Sequence, residues 1–236
     1  MNEVVNGLMA EDGARADLAV IPRGTGVDFV RTFGIPAKVE EAVRVAVGAK
    51  TREVDLGRAV YRAWSGLQGE AWFANIASAG MSGAIAKRTN EGRGRLGGTA
   101  SYLIATLAVF VRWQSSEMRV SVDDEIRGGR MQDVIVANGR YFGGGMLICP
   151  EASPDDGLFD VLLLGDVTKA DLVRTMPKIY RGTHLPHAKA ELLRGAVVSV
   201  DADEPLPIEL DGEQPGTTPV RFDVVPKALR LRVRSF

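Results

Sequence analysis

The sequence predicts an α/β layer at the N-terminus, followed by a longer region built of short antiparallel strands. Up to about Gly48, helical and strand patterns alternate around a glycine loop, whereas after Thr51 short apolar runs are separated by turn residues. Alternating helices and strands favour an α/β layer with a parallel sheet. Many short strands with regular turns favour an antiparallel sandwich or barrel. We therefore expect a domain boundary near residues 48–52.

The N-terminal elements follow from apolar spacing and from the residues that end them. A short helix is predicted over 2–9, and a four-residue apolar strand over 18–21 that Pro22 ends. A second helix begins at about Asp28. A third covers 38–47, where apolar residues recur on one helix face.

The region after residue 51 predicts mainly strands. The expected strands are 53–56, 61–64, 71–76, 118–122, 134–137, 158–164, 197–200, 208–210 and 221–225. Two helices interrupt them, at roughly 97–113 and 169–181, and Asp171 lies in the first turn of the second.

Composition and charge restrict the class of protein. The 236 residues carry 29 lysines and arginines against 30 aspartates and glutamates, a net charge of −1, whereas nucleic-acid binders need surplus positive charge. The single cysteine, Cys149, suits a reducing compartment. The N-terminus lacks a signal-peptide pattern, and the apolar run at 102–111 covers only about half of a bilayer core. We expect a cytoplasmic protein without a transmembrane segment or nucleic-acid partner.

A glycine loop precedes the helix at Asp28. Its core is Gly24-Thr25-Gly26. Glycines let the backbone approach a ligand closely, and a helix N-terminus favours anions. Thr25 offers a hydroxyl, and Asp28 offers either a magnesium ligand or a helix N-cap. A tight strand–helix turn capped by Asp28 explains the same residues, so both interpretations stay open.

Two later regions place carboxylates beside glycines. Residues 138–145 end in three glycines, the turn at 155–157 reads Asp-Asp-Gly, and residues 210–213 read Leu-Asp-Gly-Glu. Carboxylates beside free backbone carbonyls suit a hard cation such as magnesium. In the last segment one carboxylate could bind a cation while the other accepts a hydroxyl proton, as phosphoryl transfer to an alcohol requires. Ordinary hairpin turns explain each segment taken singly.

In their order along the chain, these segments resemble the diacylglycerol kinase catalytic family, in particular its bacterial lipid-kinase branch close to the sphingosine kinases. Residues 2–8 resemble the segment that follows the family's Gly-Gly-Asp-Gly-Thr nucleotide loop, and 21–29 resemble its Pro-x-Gly-Thr-x-Asn-Asp-Phe loop. Residues 75–80, 138–160 and 210–213 resemble its Asn…Gly strand, its Asn-Gly…Gly-Gly-Gly…Pro…Asp-Gly-Leu-x-Asp stretch and its Asp-Gly-Glu motif. The resemblance covers almost the whole chain.

The resemblance implies a fold of the NAD kinase and diacylglycerol kinase type. A partial Rossmann-like α/β nucleotide-binding domain would occupy residues 1–48, and an antiparallel β-sandwich domain would occupy 49–225. A C-terminal strand at 226–236 would return to the first domain, and ATP would bind in the cleft between the two domains.

The resemblance also implies an activity, the ATP- and magnesium-dependent transfer of the γ-phosphate to the hydroxyl of a diacylglycerol-like or sphingoid lipid. Glu213 is the implied general base, and Asp211 is the second carboxylate of that motif. The implied nucleotide contacts are Asn2, Gly24, Thr25, Gly26 and Asp28, the last near the phosphates and magnesium. The implied ligands of a structural magnesium ion are the Asp156 carboxylate and the backbone carbonyls of Ser153 and Leu158.

Two departures from the family pattern bear on activity. Val27 stands where the family usually has asparagine. The sequence begins after the Gly-Gly-Asp-Gly-Thr loop, with Met1 in the position that follows the threonine, so we expect part of the phosphate cradle to be missing. A catalytically impaired homologue that binds lipid or acts as a scaffold is therefore the alternative. A kinase that phosphorylates a soluble substrate such as NAD is a third hypothesis.

The expected partner is a lipid substrate at the membrane surface, met by peripheral association, and an incomplete sheet edge would favour a homodimer. His184 and His187 are expected on an exposed loop, since no third ligand pattern accompanies them. Cys149 is expected as a small buried apolar side chain. The basic segment 87–95 is expected as a solvated loop, with attraction of anionic lipid headgroups as a further hypothesis.

Overall fold

The structure is a computed structural model of the 236-residue chain, and it describes residues 1–10, 16–23, 27–91, 106 and 108–234. The helices in these ranges are α1 (Asn2–Ala10), α2 (Asp28–Thr32), α3 (Val39–Ala46), α4 (Met81–Glu91) and α5 (Lys169–Tyr180), and residues 108–112 are also helical. The strands are β1 (Asp17–Leu18), β2 (Thr51–Ala63), β3 (Gln68–Phe73), β4 (Ile76–Gly80), β5 (Ser116–Val122), β6 (Glu125–Ala137), β7 (Tyr141–Phe142), β8 (Met146–Leu147), β9 (Phe159–Gly165), β10 (Ala190–Gly195), β11 (Val197–Ala202), β12 (Ile208–Leu210) and β13 (Gly216–Arg232).

An 11-stranded sheet organises the chain. Its main path runs β10-β9-β6-β5-β11-β13-β2-β3, while β4 pairs with β6 and β12 pairs with β4. Among the described strands every pairing is antiparallel except that of β1 with β13. The expected antiparallel β-architecture is therefore confirmed, and the described part of the α/β layer contributes one short parallel pair to the same sheet.

The main core lies where two parts of this sheet face each other. Phe73 of β3 stacks on Phe159 of β9, with ring centroids 5.6 Å apart, and meets Phe222 of β13 edge-on at 5.8 Å. Strands β3 and β9 are distant in the sheet order, so contact between their rings requires sandwich-like packing. Gly57 of β2 permits this packing, because a Cβ atom there would lie 2.1 Å from the Phe73 ring.

The N-terminal helices pack against the far ends of β2 and β13 in a second apolar cluster. This cluster contains Val5 of α1, Phe29 of α2, Leu56 of β2 and Leu231 of β13. Asp17 of β1 lies opposite Arg230 of β13 and makes an ion pair with it at 2.7 Å. The C-terminal end of β13 thus contacts the first elements, while the domain division at 48/49 and 225/226 stays a prediction.

The predicted helices at 2–9, 28 onward, 38–47 and 169–181 are confirmed as α1, α2, α3 and α5, and Asp171 completes a capping box with Thr168 at the start of α5. The helix expected at 97–113 lies mostly outside the described residues. None of the described helices is long and apolar enough to cross a membrane.

Several strand predictions differ from the structure. The strands expected at 53–56 and 61–64 form one strand, β2, because its glycine serves close packing instead of a turn. The strand expected at 71–76 divides into β3 and β4, and the one expected at 18–21 shortens to β1. Strand β10 had no prediction; it pairs with β9 along its whole length.

Candidate functional site

The turn between β12 and β13 presents Glu213. The Leu210 amide donates to the Glu213 carbonyl at 2.8 Å, and the Glu213 amide donates to the Leu210 carbonyl at 3.0 Å. Asp211 and Gly212 lie in the left-handed region, at φ 49 and φ 93, as expected for a tight two-residue turn. The Glu213 side chain is exposed, so its carboxylate is open to a ligand.

Asp211 fixes this turn to the break between β3 and β4. Its Oδ2 accepts a hydrogen bond from the Ala74 amide at 2.8 Å, and its Oδ1 accepts from the Asn75 and Ile76 amides at 2.9 and 3.1 Å. The Asn2 side chain lies close enough to this carboxylate to lower its pKa. Burial raises the pKa of Asp211 above its usual value, against the lowering effect of these donors. Because both oxygens are occupied, Asp211 positions the turn that carries Glu213.

Helix α1 brings Asn2 to the same place. The Asn2 amide group donates to the Trp72 carbonyl of β3 at 2.9 Å. One turn later, Asn6 donates to the same carbonyl at 2.9 Å and accepts from the Trp72 amide at 2.8 Å. The Asn6 side chain thus occupies the position that a further strand would take beside β3. The predicted nucleotide contact Asn2 therefore lies beside the Asp211 carboxylate, although the two are far apart in sequence.

Asn75 connects the Asp211 turn to the glycine-rich segment after β6. Its side-chain amide donates to the Tyr141 carbonyl at 3.0 Å, and its own carbonyl accepts from the Asn138 and Gly139 amides at 2.9 and 2.8 Å. A Cβ atom at Gly139 would lie 2.1 Å from the Asn75 Oδ1 atom, so only glycine allows this approach. The motif resemblance included Asn75, but no sequence pattern predicted this linking role.

Asp28 approaches the glycine-rich segment from the opposite side. Its Oδ2 accepts a hydrogen bond from the Gly144 amide at 2.7 Å, and its Oδ1 is buried without a hydrogen-bond partner among the described residues. Burial raises the pKa of Asp28, against the lowering effects of the Gly144 amide and the Arg31 charge. Asp28 therefore keeps one carboxylate oxygen uncommitted within the described structure.

Of the two interpretations of Asp28, the one in which it caps α2 is not what the structure shows. Val27 occupies the N-cap position without a side-chain hydrogen bond, and Asp28 is the first residue of the helix. The Asp28 carboxylate turns away because the Gly144 amide binds it. The other predicted loop contacts, Gly24, Thr25 and Gly26, lie outside the described residues.

Comparison with known proteins identifies the family. The chain matches the model of the diacylglycerol kinase catalytic domain over residues 1–59, and that of the YegS C-terminal NAD kinase beta sandwich-like domain over residues 75–233. A diacylglycerol kinase of Mycobacterium tuberculosis is 32% identical over 237 residues, which cover 97% of this chain and 72% of the relative. The chain belongs to the diacylglycerol kinase family.

Further similarities agree with this assignment. A Pseudomonas aeruginosa protein named "Probable lipid kinase YegS-like" is 33% identical over 234 residues, 99% of this kinase-family chain and 73% of the relative. A crystal structure from Bacillus anthracis, named "putative diacylglycerol kinase", superposes with a TM-score of 0.76 at 22% identity, covering 98% of this chain and 74% of that one. The second similarity shows the shared fold, including the expected β-sandwich architecture.

The structural magnesium site that the resemblance implied, at the Asp156 carboxylate and the backbone carbonyls of Ser153 and Leu158, stays a prediction, and in this structure the Asp156 carboxylate has other partners. One Asp156 oxygen accepts from the Leu158 amide at 3.1 Å, and the other is paired with Arg194. The Ser153 hydroxyl donates to Asp155 at 2.9 Å. A divalent ion at Asp156 would have to displace the Arg194 guanidinium. In the part of the chain that the structure describes, no cluster of three or more His, Cys, Asp or Glu side chains could hold a metal ion.

The prediction for Cys149 is confirmed, whereas that for His184 is wrong. Cys149 is fully buried as expected, and burial raises the pKa of its thiol, which makes it unreactive. His184 is buried at 5% exposure, so its placement on an exposed loop is wrong; the neighbouring Leu185 packs into the cluster around Ile148 and draws it inward. Burial lowers the pKa of His184.

The predicted solvated loop at 87–95 is also wrong in its first residues, since Lys87 and Arg88 are exposed residues of α4. Arg93 and Arg95 lie outside the described residues.

Two buried acids near the site had no sequence signal. Glu209 of β12 is bound by the Gly212 amide and by the Ser78 hydroxyl at 3.3 Å, and burial raises its pKa well above its usual value. Asp133 of β6 is bound by the Ser82 amide at 3.0 Å and by the Ser82 hydroxyl, and burial raises its pKa to about 7. In alternating strands such residues are expected to face solvent, but here both faces of β4, of β12 and of the second half of β6 are covered.

Proposed function

We propose that the chain transfers the γ-phosphate of ATP to the hydroxyl group of a diacylglycerol-like or sphingoid lipid, with Glu213 as the general base. The family assignment supports a lipid kinase. The observation that carries the assignment of the base is the exposure of Glu213 on a turn whose neighbour, Asp211, is held by three backbone amides. A carboxylate on such a fixed turn is open to an acceptor hydroxyl.

The proposed reaction does not require Glu213 to be a strong base. The lipid oxygen forms a bond to the γ-phosphorus while the bond from that phosphorus to the β,γ-bridging oxygen breaks, and ADP leaves. The Glu213 carboxylate accepts the hydroxyl proton during attack. Because phosphoryl transfer depends mainly on positioning and on charge stabilisation, a carboxylate in place is sufficient.

Asn2 and Asp28 are the described residues proposed to face the nucleotide. The buried and unpartnered Oδ1 of Asp28 fits a cation bound together with ATP phosphates, since magnesium is often held by one or two carboxylates plus phosphate oxygens. That ion would neutralise charge developing on the phosphates. The Gly144 amide keeps the Asp28 carboxylate turned toward the glycine-rich segment.

Substitution of the base tests the proposal. The Glu213→Gln variant keeps the size of the side chain but cannot accept the proton, and we expect the rate of phosphate transfer from radiolabelled ATP to diacylglycerol or sphingosine in mixed micelles to fall about 10²–10⁴-fold. Glu204→Gln, at another exposed glutamate, is the matched control and should keep the wild-type rate. Equal unfolding midpoints would show that both variants fold. A wild-type rate in Glu213→Gln would refute the role of Glu213.

Nucleotide binding separates this proposal from the non-catalytic alternative. A ligand that binds only the folded state increases the free energy of unfolding, by about 2.7 kcal/mol when its concentration is 100 times its Kd, and so raises the unfolding midpoint. We expect ATP with magnesium to raise the midpoint of the wild-type chain and to do so less in Asp28→Ala. An unchanged midpoint at saturating ATP would favour a lipid-binding or scaffold role.

A further inference from the structure

The tip of the β2–β3 hairpin exposes two large apolar side chains. Trp64 is 59% exposed and Leu67 is 71% exposed. The Gly66 amide donates to the Ala63 carbonyl at 2.8 Å, and the Ala63 amide donates to the Leu67 carbonyl at 2.9 Å. Gly66 takes the left-handed conformation at φ 83, which gives the tight turn with a glycine bulge that is common in hairpins. The exposed side chains therefore project from a well-defined turn.

Trp64 is anchored beside the turn that carries Glu213. Its indole Nε1 donates to the carbonyl oxygen of Gln214 at 3.1 Å, and Gln214 directly follows Glu213. The Lys87 ammonium lies 5.7 Å from the centre of the indole ring, within the range of a cation–π contact. An exposed indole whose N–H is satisfied and whose ring has a cation beside it suits the boundary between water and lipid headgroups.

A basic groove continues from the tip over the outer face of the sheet. A cavity of about 720 Å³ begins at Leu67 and is lined by Arg62, Arg119 and Arg221, with Asp201 as its acidic side chain. Arg221 is paired with a neighbouring aspartate. Within the described ranges, the Arg62 and Arg119 side chains make no ion pair or hydrogen bond, so their charges are available to an external anion.

We propose that these exposed apolar and basic side chains dock on the headgroup layer of an anionic lipid bilayer. The members of this tip surface are Arg62, Trp64, Leu67, Lys87 and Arg119. Apolar side chains that enter the acyl boundary and cations that meet headgroup phosphates contribute together to interfacial binding. The docking deepens the proposed function and rests on it, because a lipid hydroxyl within a bilayer reaches Glu213 only if the Glu213 turn lies at the bilayer surface.

The size and charge of the surface favour a bilayer over a protein partner. Two apolar side chains cannot supply the buried area of about 800 Å² per partner that a stable protein interface needs. A bilayer demands no matching shape, and its anionic headgroups complement the unpaired arginines and Lys87.

Co-sedimentation with vesicles tests the docking. We expect the wild-type chain to bind vesicles of phosphatidylcholine mixed with phosphatidylglycerol more tightly than vesicles of phosphatidylcholine alone. The affinity of the double variant Leu67→Ser/Lys87→Glu for the anionic vesicles should be lower than that of the wild type by about tenfold or more. The matched control, Ile126→Ser/Lys178→Glu, changes an exposed apolar residue (56% exposed, against 71% for Leu67) and an exposed lysine elsewhere, and should bind like the wild type.

Tryptophan fluorescence gives a second readout. Anionic vesicles should shift the emission to shorter wavelength, and brominated lipids should quench it, because Trp64 enters the interface. Trp64→Phe should lose both signals while keeping most of its vesicle affinity. Unchanged affinity in Leu67→Ser/Lys87→Glu, or emission that does not respond to bound vesicles, would overturn the docking proposal.

The docking and the proposed function can fail separately. Phosphate transfer to a short-chain diacylglycerol dispersed in water needs no bilayer, and Leu67→Ser/Lys87→Glu should keep the wild-type rate there but lose rate on vesicles. No transfer by the wild type to the dispersed lipid, with vesicle binding through the tip intact, would remove the proposed function alone. Transfer with vesicle binding that is unchanged in the double variant would remove the docking alone.

Discussion

Two Asp-Gly turns of this chain hold their carboxylates in different ways. The Asp211 carboxylate at the β12–β13 turn accepts hydrogen bonds from the uncharged amides of residues 74–76. At the turn that contains 155–157, Asp155 is paired with Arg52 at 2.6 Å, and Asp156 is paired with Arg194. Amides stabilise a carboxylate without cancelling its charge, whereas a guanidinium neutralises it. The first turn is therefore held beside Glu213 through amide donors, whereas the second turn is held through two ion pairs.

Removal of Asp211 should have the largest effect on stability. Asp211→Ala leaves three backbone amides without an acceptor, and each such loss costs about 1–2 kcal/mol, so the free energy of unfolding should fall by roughly 3–6 kcal/mol. Urea unfolding measures the change. Asp211→Asn keeps one acceptor oxygen and should lose about half as much. A loss below about 1 kcal/mol in Asp211→Ala would show that the amides do not depend on this carboxylate.

A third carboxylate, Asp133, resembles Asp211 in its partners, because an amide and a hydroxyl donate to it in a buried site. It therefore shows what burial does to a carboxylate that has hydrogen-bond donors. Its folded-state pKa of about 7 lies above the usual value of 3.8. Between these values the native state keeps the proton that the unfolded state releases. Stability from this group is therefore full below about pH 4 and is lost as the pH rises through about 7.

The pH dependence of unfolding tests this reasoning. From about pH 4 to pH 8 the wild-type chain should lose, through Asp133, stability of the order of 4 kcal/mol. Asp133→Asn cannot ionise, so its unfolding free energy should fall less over this range. Urea unfolding of both proteins at several pH values gives the difference. Parallel pH profiles would mean that Asp133 does not titrate as described.

The smallest expected effect concerns the ion pair of Asp156. Arg194 and Asp156 are 46% and 31% exposed, so the loss of this pair in Arg194→Gln should lower stability by about 1 kcal/mol or less. The same guanidinium lies 3.6 Å from the buried Asp160, whose pKa should rise further when Arg194 is removed. Without the guanidinium, Asp156 and the buried Asp160 are open to a cation, and magnesium should raise the unfolding midpoint of Arg194→Gln more than that of the wild type. Adding Asp156→Asn should abolish the gain. An equal magnesium response in the wild type would show that Arg194 does not exclude the ion.

Local patterns predicted most of the helices and several strands of this fold. The helices α1, α2, α3 and α5 follow from apolar spacing and from their end residues, which act within a few positions of the chain. Glycine misled the strand predictions in β2, because Gly57 makes room for the Phe73 ring of another strand. A glycine's sequence neighbours do not reveal whether it bends the chain or admits a distant side chain.

The sequence predicted which residues form the candidate site, but it did not predict the hydrogen bonds between them. Motif order brought Asn2, Asp28, Asp211 and Glu213 into one hypothesis. Which of these carboxylates is saturated with donors, and which keeps an oxygen uncommitted, depended on the break between β3 and β4 and on the Gly144 amide. These donors lie more than 100 residues from the acids they bind, so no local pattern contains them.

By itself the sequence determined the family, the order of the motifs and most of the helices, because these depend on residue identity and short-range spacing. Only the tertiary structure decided the partners of each charge and the position of Trp64 beside Gln214. Strand register sets those pairings, and register results from packing the whole apolar core, in which each strand's alignment depends on all the others.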